Sequence, residues 1–220
     1  MSKKIRVGVI FGGCSAEHEV SLVSGASVIK ALDRKKYEII PIGITKQGKW
    51  LVGQPLKALT SGRLKKVTEV LPPTNIKQNG LVKIEKPAKI LNIDVFFPVL
   101  HGTYGEDGTI QGLLELTNIP YVGAGVLGSA LGMDKVVQKQ LYQQVGIPTP
   151  KFVYFNKNDW RKNQKYWRSQ IKKQVGCPCF VKPANLGSSV GISKVHAENQ
   201  LTKAINLAFQ YDNKIIKIWG

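Results

Sequence analysis

The sequence predicts an α/β fold in two parts, a parallel-sheet domain over 1–128 and a smaller α+β domain over 129–220. Three observations predict it. The apolar run Ile5–Phe11 enters Gly12-Gly13 and is followed by a helical pattern and a second apolar run, Tyr37–Ile44. That order is a βαβ start, and parallel strands buried on both faces read as continuous apolar runs. Further along, FVKPANLGSSVG (180–191) reads as a strand entering a small-residue loop, with another strand to follow. Between these stretches a glycine-rich turn at 124–133 marks the likeliest boundary.

The elements follow in order. Glu19–Leu32 is expected as a helix with Val20, Val23, Val28 and Leu32 on its inner side. TKQGKW (45–50) reads as a hairpin turn around Gly48. Residues 53–90 carry Lys57, Arg63, Lys65, Lys66, Lys77, Lys83, Lys86 and Lys89 among prolines and polar residues; short strands and loops with a basic surface are expected. Ile93–Leu100 is a buried strand ending in His101-Gly102, Thr109–Thr117 a short helix, and Ile119–Val122 a short strand. Asp134–Val145 is a helix stopped by Gly146 and Pro148. Asp159–Val175 is a single helix, with Trp160, Trp167, Ile171 and Val175 facing the core and Arg161, Lys162, Lys165, Arg168, Lys172 and Lys173 facing water. A helix over 197–210 and a strand near 214–218 complete the chain, and the apolar run Ile215–Trp219 is expected to lack a partner and promote association.

Composition narrows the class. Of 220 residues, 43% are hydrophobic and 21% charged, proportions of a soluble globular protein. No apolar run approaches the ~20 residues of a membrane helix, and MSKKIRVGVIF reads as a first strand, not a signal peptide. Cys14, Cys177 and Cys179, with His18, His101 and His196, form neither a disulfide framework nor a zinc pattern, which suits a reducing cytoplasm. The net charge of +18 fits a nucleic-acid binder, an enzyme for anionic small molecules, or a basic proteome. GAGVLG (123–128) matches G-x-G-x-x-G, yet no acidic residue ends a strand about 20 positions on, so a dinucleotide site is disfavoured and glycine-mediated close packing is expected instead.

The chemistry-bearing stretch is 180–191. Lys182 ends a strand, Pro183 has no N–H for a ladder, and Asn185, Gly187, Ser188, Ser189 and Gly191 follow. Such a loop can turn several amides toward one anion, and the lysine adds a point charge. It is not a Walker A loop, since no G-x-x-x-x-G-K-[ST] occurs. An ordinary glycine–serine hairpin is the alternative on spacing alone.

Four segments in this order, GGCSAEHEVSLVSG (12–25), FPVLHGTYGEDGTIQGLLEL (97–116), PYVGAGVLGSALGMDK (120–135) and FVKPANLGSSVGISKV (180–195), resemble the D-alanine–D-alanine ligase family of the ATP-grasp superfamily. The resemblance implies a Rossmann-like (pre-ATP-grasp) domain at 1–128 and the first ATP-grasp subdomain at 129–220, with the second subdomain missing. It implies ATP-dependent joining of two D-alanines through a D-alanyl phosphate, for peptidoglycan synthesis, with Mg²⁺ or Mn²⁺ as cofactor. Glu17 is then expected to hold the ammonium of the first D-alanine, with Ser188 hydrogen-bonding Glu17 and His101 near the reacting carboxylate. Lys135 and Lys182 are expected to meet ATP phosphates under a lid of Gly187, Ser188 and Ser189. Glu19, Glu106 and Asp107 are expected to be structural. A homodimer is implied for a full-length member, with no membrane or nucleic-acid partner.

The pattern departs from the family at the end. An apolar strand closing on an acidic residue is expected, where Lys217-Ile218-Trp219-Gly220 stands. The metal ligands, most of the adenine pocket and the second-substrate groups are expected beyond 220, so an inactive fragment is the reading for the chain alone. Alternative readings are a non-catalytic basic module that binds nucleic acid, and another ATP-grasp ligase.

Overall fold

The computed structural model describes residues 3–63, 66–72, 80–84 and 90–219. The chain divides into two compact units, 1–129 and 130–220. The basic residues Lys65, Lys77, Lys86 and Lys89 lie outside the described residues.

In the first unit, β1 (Ile5–Gly12), β2 (Tyr37–Ile44) and β7 (Val95–Pro98) run parallel, with β1 between the other two. Antiparallel strands extend the β2 side: β3 (Trp50–Gly53), β4 (Val67–Leu71), β5 (Gly80–Lys83) and β6 (Ile90–Asn92). The strand order is β6-β5-β4-β3-β2-β1-β7. Only two residues separate β6 from β7, so strands at opposite ends of the order have termini within about 11 Å. The sheet therefore curls back on itself, which explains why Leu81 and Val70 share one apolar cluster with Ile10, Ile93 and Phe96.

β1 is apolar throughout because both faces are covered. Val7, Val9 and Phe11 pack with Leu22 of α1 (His18–Ala31), while Ile10 packs on the opposite side with Ile110 and Leu114 of α3 (Thr109–Glu115). The buried face of α1 differs from expectation. His18, Ser21, Leu22 and Gly25 are buried, while Val20 and Val23 are exposed. The helix lies too close to β1 for valines: a Cβ on Gly25 would stand 2.6 Å from Phe11 Cβ. Ser21 Oγ donates to Val99 O (2.5 Å) and accepts from Gly12 N (2.8 Å), binding the helix to both strand ends.

Other expectations are corrected here. Pro55–Ser61 is a helix, α2, within a stretch read as strands and loops; Pro55 at its start has a φ suited to a first helical turn. Residues 119–122 make one parallel bridge, Phe96 to Tyr121, instead of a strand. The glycines of GAGVLG do not mediate close packing: a Cβ on Gly123 meets nothing within 4 Å, and its φ of 123° is what requires glycine. α4 (Val126–Met133) follows, with no buried residue.

The second unit is an antiparallel sheet, β10 (Ser193–Val195), β9 (Cys179–Pro183), β11 (Lys214–Trp219) and β8 (Phe152–Asn156), in that order. α5 (Lys135–Gln144) covers one face through Val136, against Ala184, Ile216, Ile218 and Phe152. Asp134 caps it, accepting from the amides of Val136 and Val137. α6 (Lys157–Lys162), α7 (Gln164–Gln174) and α8 (Leu201–Ala208) contribute to the cluster on the other face.

The single helix expected over 159–175 is two, because Asn163 leaves helical geometry (φ −152°, ψ 73°) and its side chain caps α7 through Tyr166 N. Residues 198–200 form a 3₁₀ turn before α8, shortening the helix expected over 197–210. The expectation for Ile215–Trp219 is overturned. β11 pairs on both sides, Ile215 through Ile218 are buried, and Trp219 alone is exposed. Its apolar surface is the centre of a sheet, not an unpartnered patch.

Candidate active site

Each unit carries its own group of candidate site residues. In the first, two loops at the carboxyl ends of parallel strands are clasped together. Gly12 and Gly13 (φ 92° and 94°) turn the chain out of β1, and Gly13 N donates to Ile44 O at 2.9 Å. A Cβ on Gly12 would overlap that carbonyl at 2.2 Å, so glycine is required. His18, buried, fixes the same turn through Nδ1 and Gly13 O (2.7 Å).

The clasp itself is Ser15. Its hydroxyl donates to His101 O (2.7 Å) and accepts from Glu17 N (3.1 Å). Glu17 Oε2 lies against Gly102, where a Cβ would stand 1.9 Å away; Gly102 has φ 70°. Glu106 Oε2 accepts from Gly102 N (2.8 Å), and Asp107 accepts from Tyr104 N and Thr109 N (2.9 and 3.0 Å). Both acids hold the loop. Glu19 pairs with exposed Lys46 instead. His101 Nε2 meets Ser24 Oγ at 3.0 Å. Glu17 and His101 are thus brought together by backbone contacts running through Ser15 and Gly102. A cavity of about 360 Å³ lies beside the clasp, between Gly13, Ile44, Trp50, Leu100, His101 and Ile110.

The second group lies at the loop after β9. Ala184 N donates to Lys214 O, and Asn185 donates through N and Nδ2 to Asp212 Oδ2 (2.8 and 3.0 Å). Lys214 pairs with Asp134, tying the loop's base to the start of α5. Ser188 and Ser189 both adopt left-handed φ, 46° and 60°, a conformation non-glycine residues rarely take, and the turn is closed by Val190 N donating to Gly187 O and Ile192 N to Ser189 O (both 3.3 Å). Gly191 (φ 71°) has no room for a Cβ, which would stand 2.7 Å from the Tyr211 ring.

Lys182, opposite Ile216, is half-buried. Burial, then the charges of Lys135 and Lys139, holds its amine below the usual lysine range. Lys135 Nζ donates to Leu186 O (2.5 Å) and Ala184 O (3.5 Å), so it also anchors the loop. Gly187, Ser188 and Ser189 therefore stand on a base built by Lys135 and Asn185.

The family models agree in both units. Residues 6–124 match the D-ala D-ala ligase N-terminus, and residues 141–217 match the D-ala D-ala ligase C-terminus. The chain belongs to the D-alanine–D-alanine ligase family. It is 49% identical to the D-alanine–D-alanine ligase of Natranaerobius thermophilus and 48% to that of Bacillus licheniformis. Each match spans 97% of this chain, against 59% and 60% of the relative. Among solved structures it superposes on the VanG D-Ala:D-Ser ligase of Enterococcus faecalis (TM-score 0.88, 38% identity, 99% of this chain and 63% of that one). The D-alanine–D-alanine ligase of Coxiella burnetii gives a TM-score of 0.85 at 30% identity, over 99% and 62% of the two chains. The chain thus spans about 60% of the length of the curated D-alanine–D-alanine ligases it matches.

Nothing in the comparisons supports the nucleic-acid reading, and the aromatics behind it are core. Trp160 is buried and stacks on Phe155 (5.5 Å between centroids), and Trp167 packs on the same ring. Three residues escaped the sequence reading. Ser15 lay inside a quoted segment, but only the fold shows its two partners. Ser24 lay in the same segment, and only the fold shows its contact with His101. Lys139 stands four residues after Lys135 on the same helix, a spacing that could have flagged it.

Proposed function

We propose that this chain supplies the first-amino-acid site and the phosphate clamp of an ATP-dependent D-alanine–D-alanine ligase acting in peptidoglycan synthesis. The observation that carries the reading is the clasp holding Glu17 against Gly102 and beside His101 at the strand ends, in a chain of this family. A fixed carboxylate is what orienting the ammonium of an amino acid needs. In the reaction, a carboxylate oxygen of the first D-alanine attacks the γ-phosphorus of ATP and ADP leaves. The amine of the second then attacks the acyl carbon, a proton is lost from nitrogen, and phosphate leaves with the C–O bond electrons. A carboxylate is too poor an electrophile for direct attack, hence the acyl phosphate.

Protein groups contribute to such transfers mainly by position and charge. Glu17 orients the first substrate, and His101 sits near its carboxylate. Lys182 and Lys135 carry the phosphate side, covered by Gly187, Ser188 and Ser189. Magnesium or manganese would neutralise phosphate charge. Among the described residues no three His, Cys, Asp or Glu side chains stand together to hold a metal ion, so none is assigned to it. A cytoplasmic, homodimeric ligase is the fuller reading, and the three cysteines are free thiols.

The test is a titration of the chain with isotope-labelled D-alanine, with L-alanine as control, followed by NMR. Saturable binding that favours the D enantiomer and is lost in Glu17→Gln is expected. Equal response to both enantiomers, or no change in Glu17→Gln, would overturn the assignment.

A further inference from the structure

The lysines around β9 are arranged unequally, and that inequality points to a binding residue. α5 lies over the sheet face that carries Ile216 and its cross-strand neighbour Lys182, because Val136 packs with Ala184, Ile216 and Ile218. Residues four apart share one side of a helix, so Lys135 and Lys139 stand on the same flank of α5, both partly buried. Lys135 donates to two carbonyls of the loop. Positive charge from both Lys135 and Lys139 acts on the Lys182 amine. Two acids flanking the loop and α5 have their own partners: Asp134 meets Lys214 and the first amides of α5, and Asp212 meets Asn185 and the Lys214 amide. With Lys135 engaged by the loop carbonyls, the ammonium groups of Lys139 and Lys182 oppose one another on this face, and an anion placed between them relieves that opposition. A single-charged anion answers one lysine; a chain of phosphates answers several.

We propose that Lys139 is a third polyphosphate-binding residue, sharing the phosphate chain with Lys182 while Lys135 chiefly fixes the loop that covers it. The inference rests on the nucleotide reading above and adds to it a residue on α5. An arginine at 139 keeps the charge; a glutamine keeps the length and removes it.

Inorganic tripolyphosphate is titrated calorimetrically, at low ionic strength, into the 220-residue chain and into Lys139→Gln, Lys139→Arg and the exposed-site control Lys57→Gln. Loss of one charge in direct contact predicts about fivefold weaker binding for Lys139→Gln, with the arginine variant and the control close to the unaltered chain. In parallel, the Lys182 amine is followed by NMR after ¹³C-methylation; removing the neighbouring charge in Lys139→Gln raises its pKa. Unchanged affinity in Lys139→Gln, whatever the Lys182 shift, overturns the assignment and leaves the nucleotide reading standing. No tripolyphosphate binding by the unaltered chain overturns both.

Discussion

Single residues decide how the first loop is held. Ser21 illustrates it: one buried hydroxyl serves the Val99 carbonyl and the Gly12 amide. Ser21→Ala leaves both backbone groups unanswered, and about 2 kcal/mol of stability is expected to be lost, measured by urea denaturation. Gly102→Ala acts on function as well. Its Cβ would occupy the place of Glu17 Oε2, at a φ of 70° that alanine resists. We expect about 1–2 kcal/mol of destabilisation, with D-alanine binding abolished. Binding retained at full strength in Gly102→Ala would show that the Glu17 carboxylate is not held by this contact. Asp94 offers a pH test. Its carboxyl accepts from Arg6 N, Nε and Nη2, and these bonds hold its pKa at about 2. A depressed folded pKa means stability that is present above the unfolded value near 3.8 and lost as pH falls through about 2. The stability gap between the chain and Asp94→Asn should therefore close between pH 4 and 2. The pair is partly exposed, so the gap should be small and should shrink further with salt.

At the scale of elements, the departures from sequence expectation share one cause. Periodicity reports which side chains are apolar, whereas contact distance selects which of them fit. On α1 the close approach to β1 favours Ser21 and Gly25 over Val20 and Val23. On the α6–α7 stretch the apolar spacing continued, but Asn163 prefers a cap to a helix interior. Asn163→Ala removes the acceptor for Tyr166 N and should cost about 1 kcal/mol; a stabilised variant with a continuous helix by NMR would show that sequence context, not the cap, sets the break. β11 makes the same point for strands. A lysine-bearing terminal run looked unpartnered, yet Lys217 sits buried in mid-sheet with Nζ donating to Gly176 O (2.8 Å).

Across the whole molecule, two sets of cores are built from separate stretches of chain, one within residues 7–119 and one within 136–218. Damage to one core should therefore be read out locally. Ile205→Ala removes buried volume beneath β9 and should cost about 2–5 kcal/mol. Hydrogen exchange should quicken throughout the amides of β8, β9 and β11 and stay unchanged in β1, β2 and β7. Equal acceleration in both sets would show that the cores unfold as one unit. The net charge of +18 acts at this scale as well. It raises the local concentration of anions without choosing among them.

By itself, the sequence determined what local chemistry can determine: the parallel start at β1–β2, the Gly48 hairpin, the helix beginning near Asp134, and the glycine–serine loop after Lys182. Its motifs also carried the family, since GGCSAEHEVSLVSG, HGTYGEDGTIQG and KPANLGSSVGISKV are continuous strings. Only the tertiary structure decided what depends on groups distant along the chain. Ser15 meets His101 across 86 positions, Asn185 meets Asp212 across 27, and Lys135 meets Leu186 across 51. Hydrogen bonds and charges of this kind depend on distances in space, which no spacing along the chain encodes until the sheets have brought their strand ends together.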